Sequence, residues 1–330
     1  MGGRSSEREI SLDSARSVVR ALDPERYEVS EIEIGPDGRW QLPKVEAPEL
    51  GRAAGSSLPV PADGTPEPLG DVDVVFPVLH GPFGEDGTVQ GLLELAGVAY
   101  VGAGVTGSAL AMDKDLFKSV MRDKGIPVAR SVTARKRDRG RVESPFGLPC
   151  VVKPSRLGSS VGISIPRTDA ELQAAAELAF EHDEKILIEE FLDGVEVECS
   201  VLGNEEPIAS IPGEIVPLAS DWYDFESKYA EGGMELVVPP RISEHSVARV
   251  QELAVAAFVA ADCEGMARVD FFVRPGGDVV VNELNTIPGF TATSVYAKLF
   301  EASGIAYAEL LDRLVELALE RRERRGTLRY

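Results

Sequence analysis

The sequence predicts an α/β protein whose C-terminal half changes to an α+β arrangement. Near the N-terminus, apolar strand patterns alternate with helical patterns, as they do in a parallel sheet covered by helices. In the C-terminal half, strand patterns follow one another as antiparallel hairpins between helices. The chain has 330 residues with 44% apolar and 27% charged content, which is typical of a globular protein with two or three domains.

Charge and cysteine usage narrow the class of function. The formal net charge of -21 argues against nucleic acid and anionic membranes as partners, because both require a basic surface. It does not exclude a nucleotide bound by a local cluster of lysines. The sequence shows no signal-type segment and no transmembrane-length apolar run. Its three cysteines lack CxxC spacing, so we expect buried free thiols and a cytoplasmic location.

The elements of the N-terminal part follow from their periodicity, in chain order. A glycine turn leads into a helix that continues through SLDSARSVVRAL, and a strand is predicted at residues 27–34. Residues 35–70 are rich in Pro, Gly, Ala and Ser, which predicts an irregular insertion. A buried strand at 71–79, the loop HGPFGEDG, the helix TVQGLLELAG and the strand VAYVG complete this part.

The pattern changes beyond residue 102. SALAMDKDLFKSVMRDKG is helical, LPCVVKP and VGISIP are predicted strands joined by SRLGSS, and KILIEEFL is a strand after a helix at 169–180. The last part is predicted to contain the strands VEVECSVLG and PIASIPGEI and a polar, aromatic segment at 219–234. Helices at 245–261 and 307–325 flank the final hairpin.

The stretch at residues 266–285, MARVDFFVRPGGDVVVNELN, is predicted to form a hairpin around a Pro-Gly-Gly-Asp turn. If the loop centres on the two glycines, Asp270 lies opposite Glu283 and Arg268 lies opposite Asn285. Side chains two residues apart on a strand share a face, so all four project from one side. A three-residue loop would shift this register.

Directly opposed carboxylates repel each other, which makes Asp270 and Glu283 an unusual purely structural pair. A hard divalent cation removes the conflict, and Mg2+ prefers one or two carboxylates together with substrate phosphates. The alternative is an exposed hairpin edge with scattered charge. Asn285 and Arg268 on the same face favour the metal site.

Two glycine-rich patterns are candidates for nucleotide binding. Gly102, Gly104 and Gly107 match GxGxxG between a strand and a helix, but the acidic residue roughly 20 positions on falls within a helical pattern, which favours an ordinary turn. In VVKPSRLGSSVGISI, Lys153 ends an apolar strand before a Gly-Ser loop. The N–H groups and hydroxyls of such a loop can donate to phosphate oxygens. The sequence contains no GxxxxGK[ST] pattern.

Further polar residues accompany these patterns. Lys114 would add a second cation, although alone it would be a solvated helix residue. Glu189 and Glu196 lie near the end of a strand, where they could accept hydrogen bonds from an adenine amino group and ribose hydroxyls. His80 follows a strand at the carboxyl end of a sheet, where α/β folds place ligands, which predicts a role in the substrate site.

Together these motifs resemble the D-alanine–D-alanine ligase family of the ATP-grasp superfamily. The resemblance covers essentially the whole chain and rests on GGRSSEREISL, HGPFGEDGTVQG, MDKDLFK, VVKPSRLGSSVGIS, ILIEEFLDGVEVECSVLG, SKY, ARVDFF and VNELNTIPGFTATSVYAKLFEASGI. It implies a pre-ATP-grasp parallel α/β domain at 1–102, a central subdomain with a Gly/Ser lid loop at 103–190, and a C-terminal subdomain with the metal hairpin and an omega-type loop at 191–330.

The resemblance also implies a nucleotide site between the central and C-terminal subdomains. Asp270, Glu283 and Asn285 would hold two Mg2+ ions, which Mn2+ could replace. The residues that would contact ATP are Lys114, Lys153, Ser159, Ser160, Glu189, Leu192, Glu196, Lys228 and Phe272.

The implied reaction joins two D-alanines through a D-alanyl phosphate, with release of ADP and phosphate, for peptidoglycan synthesis. Glu7 would bind the ammonium of the first D-alanine. Ser294 and the Val295 amide would bind the carboxylate of the second. Arg268 and the Gly289 N–H would stabilise the oxyanion of the tetrahedral intermediate.

Four residues are further implied to link the lid with the reaction. Ser159, Tyr229 and Glu7 would form a hydrogen-bonded set, and Lys228 would contact the transferred phosphate. Related ligases that make D-alanyl-D-lactate carry phenylalanine where this chain has Tyr229, so tyrosine favours an amine nucleophile. The family resemblance also implies a homodimer. The alternatives are a D-Ala-D-Ser or D-Ala-D-Lac ligase and, from another class, an ATP-binding protein without turnover.

The start of the chain departs from the family pattern. Family members carry an apolar strand before the glycine pair, whereas this sequence begins Met1-Gly2-Gly3. We expect either a start assigned too late or a truncation that exposes unpaired strand edges. In the second case, binding of the first substrate by Glu7 would suffer while ATP binding survives.

Overall fold

The computed structural model describes residues 1–5, 7–41, 72–138, 140–218 and 233–329. Its helices are α1 (Arg8–Ala21), α2 (Thr88–Leu95), α3 (Val105–Met112), α4 (Lys114–Asp123), α5 (Asp169–His182), α6 (Glu244–Ala260), α7 (Val295–Ala302) and α8 (Tyr307–Gly326). Its strands are β1 (Glu33–Ile34), β2 (Trp40–Gln41), β3 (Val74–Val75), β4 (Ala99–Tyr100), β5 (Ser131–Arg135), β6 (Cys150–Pro154), β7 (Lys185–Glu190), β8 (Val195–Gly203), β9 (Ile208–Ala209), β10 (Gly213–Pro217), β11 (Met234–Val237), β12 (Gly265–Val273) and β13 (Val279–Asn285). Within these ranges, no helix combines the length and the apolar character needed to cross a membrane.

The N-terminal part contains the parallel pair β3–β4 and the antiparallel pair β1–β2. The parallel pair confirms the predicted arrangement, but the strands predicted at 27–34 and 71–79 are longer than the two-residue ladders that form. Val78 and Leu79 are buried although they lie beyond β3. Of the described residues in the run at 71–79, only the last three are buried and Asp73 is exposed, so the prediction overestimated both burial and strand pairing.

A second sheet, ordered β5–β7–β6 and antiparallel throughout, forms one wall of the site. Helix α5 covers it, with Leu172 and Ala179 packed against Val152 and Ile188. The strand predicted for VGISIP is reduced to an isolated bridge at Ser164. Strand β5 was not predicted, because its largely exposed residues lack the apolar alternation of a half-buried strand.

A third sheet has the order β11–β10–β8–β12–β13, with β9 paired to β8. Val197, Val269 and Phe271 point from one face and pack with Phe258 of α6 in a buried core cluster. The side chains that alternate with them project from the opposite face. That face, called the site face below, carries the polar residues of the predicted metal-binding hairpin.

The predicted helix in SALAMDKDLFKSVMRDKG is two helices, α3 and α4, which separate at Asp113. The Asp113 side chain accepts a hydrogen bond from the Leu116 N–H as the N-cap of α4. It also lies 2.5 Å from the Lys185 ammonium and accepts from the Ser155 hydroxyl at 3.0 Å. This buried carboxylate therefore fixes the start of α4 and the position of Lys114, its first residue.

Candidate active site

Strands β12 and β13 pair as predicted at the end of the hairpin that is remote from its loop. Asp270 lies opposite Glu283, and Arg268 lies opposite Asn285. Both pairs confirm the register expected from the sequence. They bring four polar side chains together on the site face.

The loop geometry that produces this pairing differs from the one expected. The loop spans residues 274–278 and closes with a 2.9 Å hydrogen bond between its first and last residues. Its centre is therefore Gly276, and the predicted centre between the two glycines was wrong. The register shifts between Asp270 and Phe271, so Asn282 is the extra residue of a β-bulge that restores the pairing at the site.

Glu198, Asp270 and Glu283 form a row of three carboxylates across β8, β12 and β13. Two cations of the described part of the chain lie against the row. The Nε atom of Arg268 lies 2.7 Å from Asp270 and 2.9 Å from Glu198, and the Nζ atom of Lys114 lies 3.2 Å from Glu283. Among the residues that the structure describes, three carboxylates therefore face two cations on the site face.

Glu198 is a residue that sequence reasoning missed. It is 3% exposed and directly faces Asp270 in the ladder between β8 and β12. The alternation in VEVECSVLG already places Glu196 and Glu198 on one face of a strand. What the sequence could not provide was the identity of the neighbouring strand.

The donors on the site face fit a hard cation. Asp270 and Glu283 offer carboxylate oxygens and Asn285 an amide oxygen, and Asn285 Nδ2 donates to Asp270 at 3.0 Å. Magnesium and manganese are bound by oxygen donors of this kind. The residues present therefore suit the Mg2+ ions that the sequence predicted.

Beside the carboxylate row, four residues from four elements contact one another and form what we call the lysine ring. Lys118 and Lys153 lie 3.2 and 2.8 Å from different oxygens of Glu189. Lys118 also donates to the carbonyl of Asn282 at 3.2 Å, and Lys153 donates to its Oδ1 at 3.4 Å. The ring joins the two sheets that flank the predicted nucleotide site.

The charges in the lysine ring favour the ionised form of the Glu189 carboxylate. Burial lowers the pKa of Lys118 to about 8, against the opposing effect of Glu189. Burial would raise the pKa of Glu189, but the charges of Lys118 and Lys153 outweigh it and hold that pKa below its usual value. Two ammonium groups and one carboxylate leave a positive charge that suits a phosphate.

The glycine- and serine-rich loop follows β6. Ser159 and Ser160 adopt left-handed backbone conformations, with φ of 52° and 58°, which are uncommon for serine. The Ser159 hydroxyl donates a hydrogen bond to the Glu7 carboxylate. The carbonyl of Leu157 accepts from the Lys114 ammonium at 2.7 Å. The loop is thus held from the N-terminal part and from α4.

His80 and Glu85 join the N-terminal part to the segment after β13. Nδ1 of His80 lies 2.9 Å from the Ile287 carbonyl, and burial lowers the His80 pKa, so a neutral ring donating through Nδ1–H is assigned. Glu85 accepts from the N–H groups of Ile287 at 3.1 Å and Gly81 at 2.8 Å. Burial, followed by the charge of Glu7, raises the pKa of Glu85 to about 8. Glu85 was not predicted as a site residue.

Gly289, Ser294 and Val295 lie together at the start of α7. A Cβ added to Gly289 would lie 3.3 Å from the Ser294 hydroxyl, and Ser294 is the N-cap residue of the helix. The N–H of Val295 belongs to the first turn, where backbone N–H groups are available to an anion. Helix α7 itself was not predicted.

The remaining predicted nucleotide contacts are only partly described. Glu196 lies opposite Phe272 in the ladder between β8 and β12, and both are partly buried, as is Leu192 after β7. Lys228 and Tyr229, with most of the 219–234 segment, lie outside the described residues.

The competing GxGxxG pattern serves packing. A Cβ added to Gly107 would lie 2.8 Å from the carbonyl oxygen of Asp262, so helix α3 packs directly against backbone there. Gly102 has a φ of +95°, which favours glycine at this turn. Both observations agree with the ordinary strand-to-helix turn that the sequence favoured.

Two family models match the chain. The model described as D-ala D-ala ligase N-terminus matches residues 1–103, and the model described as D-ala D-ala ligase C-terminus matches residues 120–316. Among curated proteins, D-alanine--D-alanine ligase A of Chromobacterium violaceum is 45% identical, covering 97% of this chain and 94% of that protein.

Solved structures are similar over nearly the whole chain. The D-alanine-D-alanine ligase from Coxiella burnetii has a TM-score of 0.84 and 38% identity, over 98% of this chain and 94% of that one. The VanG D-Ala:D-Ser ligase from Enterococcus faecalis has a TM-score of 0.83 and 37% identity, over 96% and 97%. The Bacillus anthracis D-alanine--D-alanine ligase complexed with ATP has a TM-score of 0.78 and 28% identity, over 99% and 98%. The chain therefore belongs to the D-alanine–D-alanine ligase family.

Proposed function

We propose that the chain catalyses the ATP-dependent ligation of two D-alanines to D-alanyl-D-alanine, with release of ADP and phosphate, for peptidoglycan synthesis. One observation carries the proposal. The lysine ring includes Asn282, which directly precedes Glu283 of the carboxylate row, and Lys114 lies 3.2 Å from Glu283. Oxygen donors for Mg2+ and cations for phosphates thus adjoin each other, as phosphoryl transfer requires. Membership of the ligase family supports the same reaction.

In this proposal ATP lies between the β5–β7–β6 sheet and the third sheet. Lys114 and Lys153 bind phosphate oxygens beneath the loop that contains Ser159. Glu189 accepts a hydrogen bond from the adenine amino group. The other proposed contacts with ATP are Ser160, Leu192, Glu196, Lys228 and Phe272.

Asp270, Glu283 and Asn285 would hold two Mg2+ ions, for which Mn2+ could substitute. When bound, Mg2+ supplies positive charge against the phosphate oxygens. Phosphoryl transfer depends mainly on positioning and charge stabilisation. The fixed register of β12 and β13 provides that positioning, because it sets the separation of the carboxylates.

The proposed chemistry has two steps. The carboxylate of the first D-alanine attacks the γ-phosphorus of ATP, the bond from that phosphorus to the ADP oxygen breaks, and a D-alanyl phosphate forms. The amine of the second D-alanine then attacks the acyl carbon, loses a proton, and phosphate leaves. Arg268 and the Gly289 N–H would stabilise the oxyanion of this second step.

The amino-acid substrates would lie where the N-terminal part meets α7. Glu7 would bind the ammonium of the first D-alanine, with His80 beside it. Ser294 and the Val295 N–H would bind the carboxylate of the second. Tyr229 would complete a hydrogen-bonded set with Ser159 and Glu7, and its presence favours an amine as nucleophile.

Three coarser features belong to the same proposal. We assign domains to 1–102, 103–190 and 191–330, and each described sheet falls within one of these ranges. A homodimer is proposed from the family resemblance. A cytoplasmic location is proposed because the three cysteines are free and buried, as in proteins of reducing compartments.

The test is phosphate release from ATP by the purified chain with Mg2+ and D-alanine, with mass spectrometry of the product. D-serine and D-lactate are supplied as competing second substrates. We expect release with D-alanine and detection of its dipeptide. A preference for D-serine or D-lactate would replace the substrate assignment, and ATP binding without phosphate release would support a binding protein.

A further inference from the structure

Lys118 has no role in the function proposed above, yet it is completely buried, with 0% exposure. It projects from α4, and its ammonium lies 3.2 Å from Glu189 Oε1 and 3.2 Å from the carbonyl oxygen of Asn282. Burying an ammonium is costly unless it is paired and hydrogen-bonded. The position of Lys118 is therefore set by these two partners.

The bulge supplies the second partner of Lys118. A bulge leaves the backbone groups of its extra residue unpaired in the ladder. The carbonyl of Asn282 is such a group, and it accepts from Lys118. With one donor directed at this carbonyl, the ammonium is fixed relative to the Glu189 carboxylate.

One of the two carboxylate oxygens of Glu189 can accept a further hydrogen bond. Its Oε2 lies 2.8 Å from the Lys153 ammonium. Its Oε1 is buried and accepts no hydrogen bond of good geometry from the residues that the structure describes, although Lys118 lies 3.2 Å away. A buried acceptor without a well-formed hydrogen bond to the described residues indicates that a bound ligand supplies the donor.

We propose that Lys118 is a positioning residue that sets the nucleobase preference of the site, by holding Glu189 ionised with Oε1 directed at the amino group of adenine. The inference rests on the proposed function and deepens it. An adenine presents an amino donor to this oxygen. A guanine presents a carbonyl acceptor at the same ring position, so two acceptors would face each other unpaired, which a buried site rejects strongly.

Without Lys118, the carboxylate would turn toward Lys153, the other lysine of the ring. The adenine amino group would lose a charged acceptor, and the guanine carbonyl would meet less repulsion. Lys118→Met removes the charge and keeps most of the side-chain volume. Lys124→Met is the matched control, because Lys124 directly follows the same helix and its side chain is 58% exposed.

The experiment measures kcat/KM for ATP and for GTP, with D-alanine as substrate, in the full chain and both variants. We expect the ATP-to-GTP ratio of Lys118→Met to fall about tenfold, mainly through a higher KM for ATP. The KM for D-alanine should stay within about twofold of the unmodified chain. Lys124→Met should retain the original ratio.

A folded Lys118→Met variant with an unchanged ratio overturns the inference, with folding checked by thermal unfolding. If that variant does not fold, Lys118→Gln takes its place, because it keeps a donor for Asn282 and removes the charge. An unchanged ratio in Lys118→Gln overturns the inference equally. Calorimetric binding of ATP and GTP separates the two proposals. If the unmodified chain does not ligate but binds ATP preferentially and the variant does not, only the proposed reaction is contradicted.

Discussion

Ser159 donates a hydrogen bond to the Glu7 carboxylate across 152 positions of the chain. Its left-handed backbone, with φ of 52°, is a strained conformation for serine that persists only with support from its surroundings. The bond joins the loop after β6 to the residue proposed to bind the first substrate. Loop position and substrate binding are therefore connected through one hydroxyl group.

Ser159→Ala removes this connection. We expect kcat/KM for D-alanine to fall by about ten- to a hundredfold, because a hydrogen bond to a charged group is lost. Limited proteolysis should also cut the loop faster. Ser164→Ala, in the same segment, is the control for loss of a hydroxyl. If kcat/KM and the rate of proteolytic cleavage were both unchanged, the hydrogen bond from Ser159 to Glu7 would have no role in function.

Asp270→Asn tests the carboxylate row. Turnover should fall by more than about a hundredfold, because one of the proposed Mg2+ ligands loses its charge. The increase in Tm on addition of Mg2+ and ATP should shrink, since a ligand stabilises the fold only in proportion to its binding. Asp278→Asn changes an exposed carboxylate in the loop of the same hairpin and should leave both measurements unaltered. A full Tm increase in Asp270→Asn would contradict the metal assignment.

Glu198→Gln tests whether Glu198 holds the Arg268 guanidinium in position. The charged partner of the Arg268 guanidinium at 2.9 Å becomes neutral, and the side-chain volume is kept. Since Arg268 is proposed to act on the oxyanion, we expect kcat to fall about tenfold with KM for ATP nearly unchanged. Glu235→Gln, at the exposed position of β11, is the control. A change confined to KM would indicate a binding role instead.

The pH dependence of the free energy of unfolding should show the effect of the raised Glu85 pKa. Its pKa is raised from 4.5 to about 8, so between these values the folded chain keeps a proton that the unfolded chain has released. This contribution to the free energy of unfolding is present at low pH and is lost as pH rises toward 8. Urea unfolding of the unmodified chain and of Glu85→Gln should show the advantage of the unmodified chain shrinking from pH 5 to pH 8. A constant difference would contradict the raised pKa.

The hairpin pairing could be predicted because it depends on residues close in sequence. A turn and the two-residue period of a strand suffice to place Asp270 opposite Glu283. The same reasoning could not place Glu198 beside Asp270, since that contact requires the pairing of β8 with β12. Long-range strand order is set by packing of the whole sheet, which one sequence does not display.

The lysine ring shows a second limit of the sequence. Lys153 and Glu189 were recognised from strand-end positions, but Lys118 looked like any lysine of an amphipathic helix. Its buried ammonium lies against Glu189 and the carbonyl of Asn282, both distant in sequence. Which lysine is buried therefore depends on long-range contacts, which hydrophobic patterning does not show.

The bulge at Asn282 also changes the phase of the strand. Val279 and Val281 point into the core before it, and Leu284 does so after it, although a regular period of two would turn Glu283 the same way as Val281. The strand therefore consists of two segments, one before and one after Asn282, in which the inward and outward side chains alternate in opposite phase. Pairing Asn282 into a regular ladder would turn the Glu283 carboxylate inward and Leu284 outward, so the acidic face and the apolar interior both depend on the bulge.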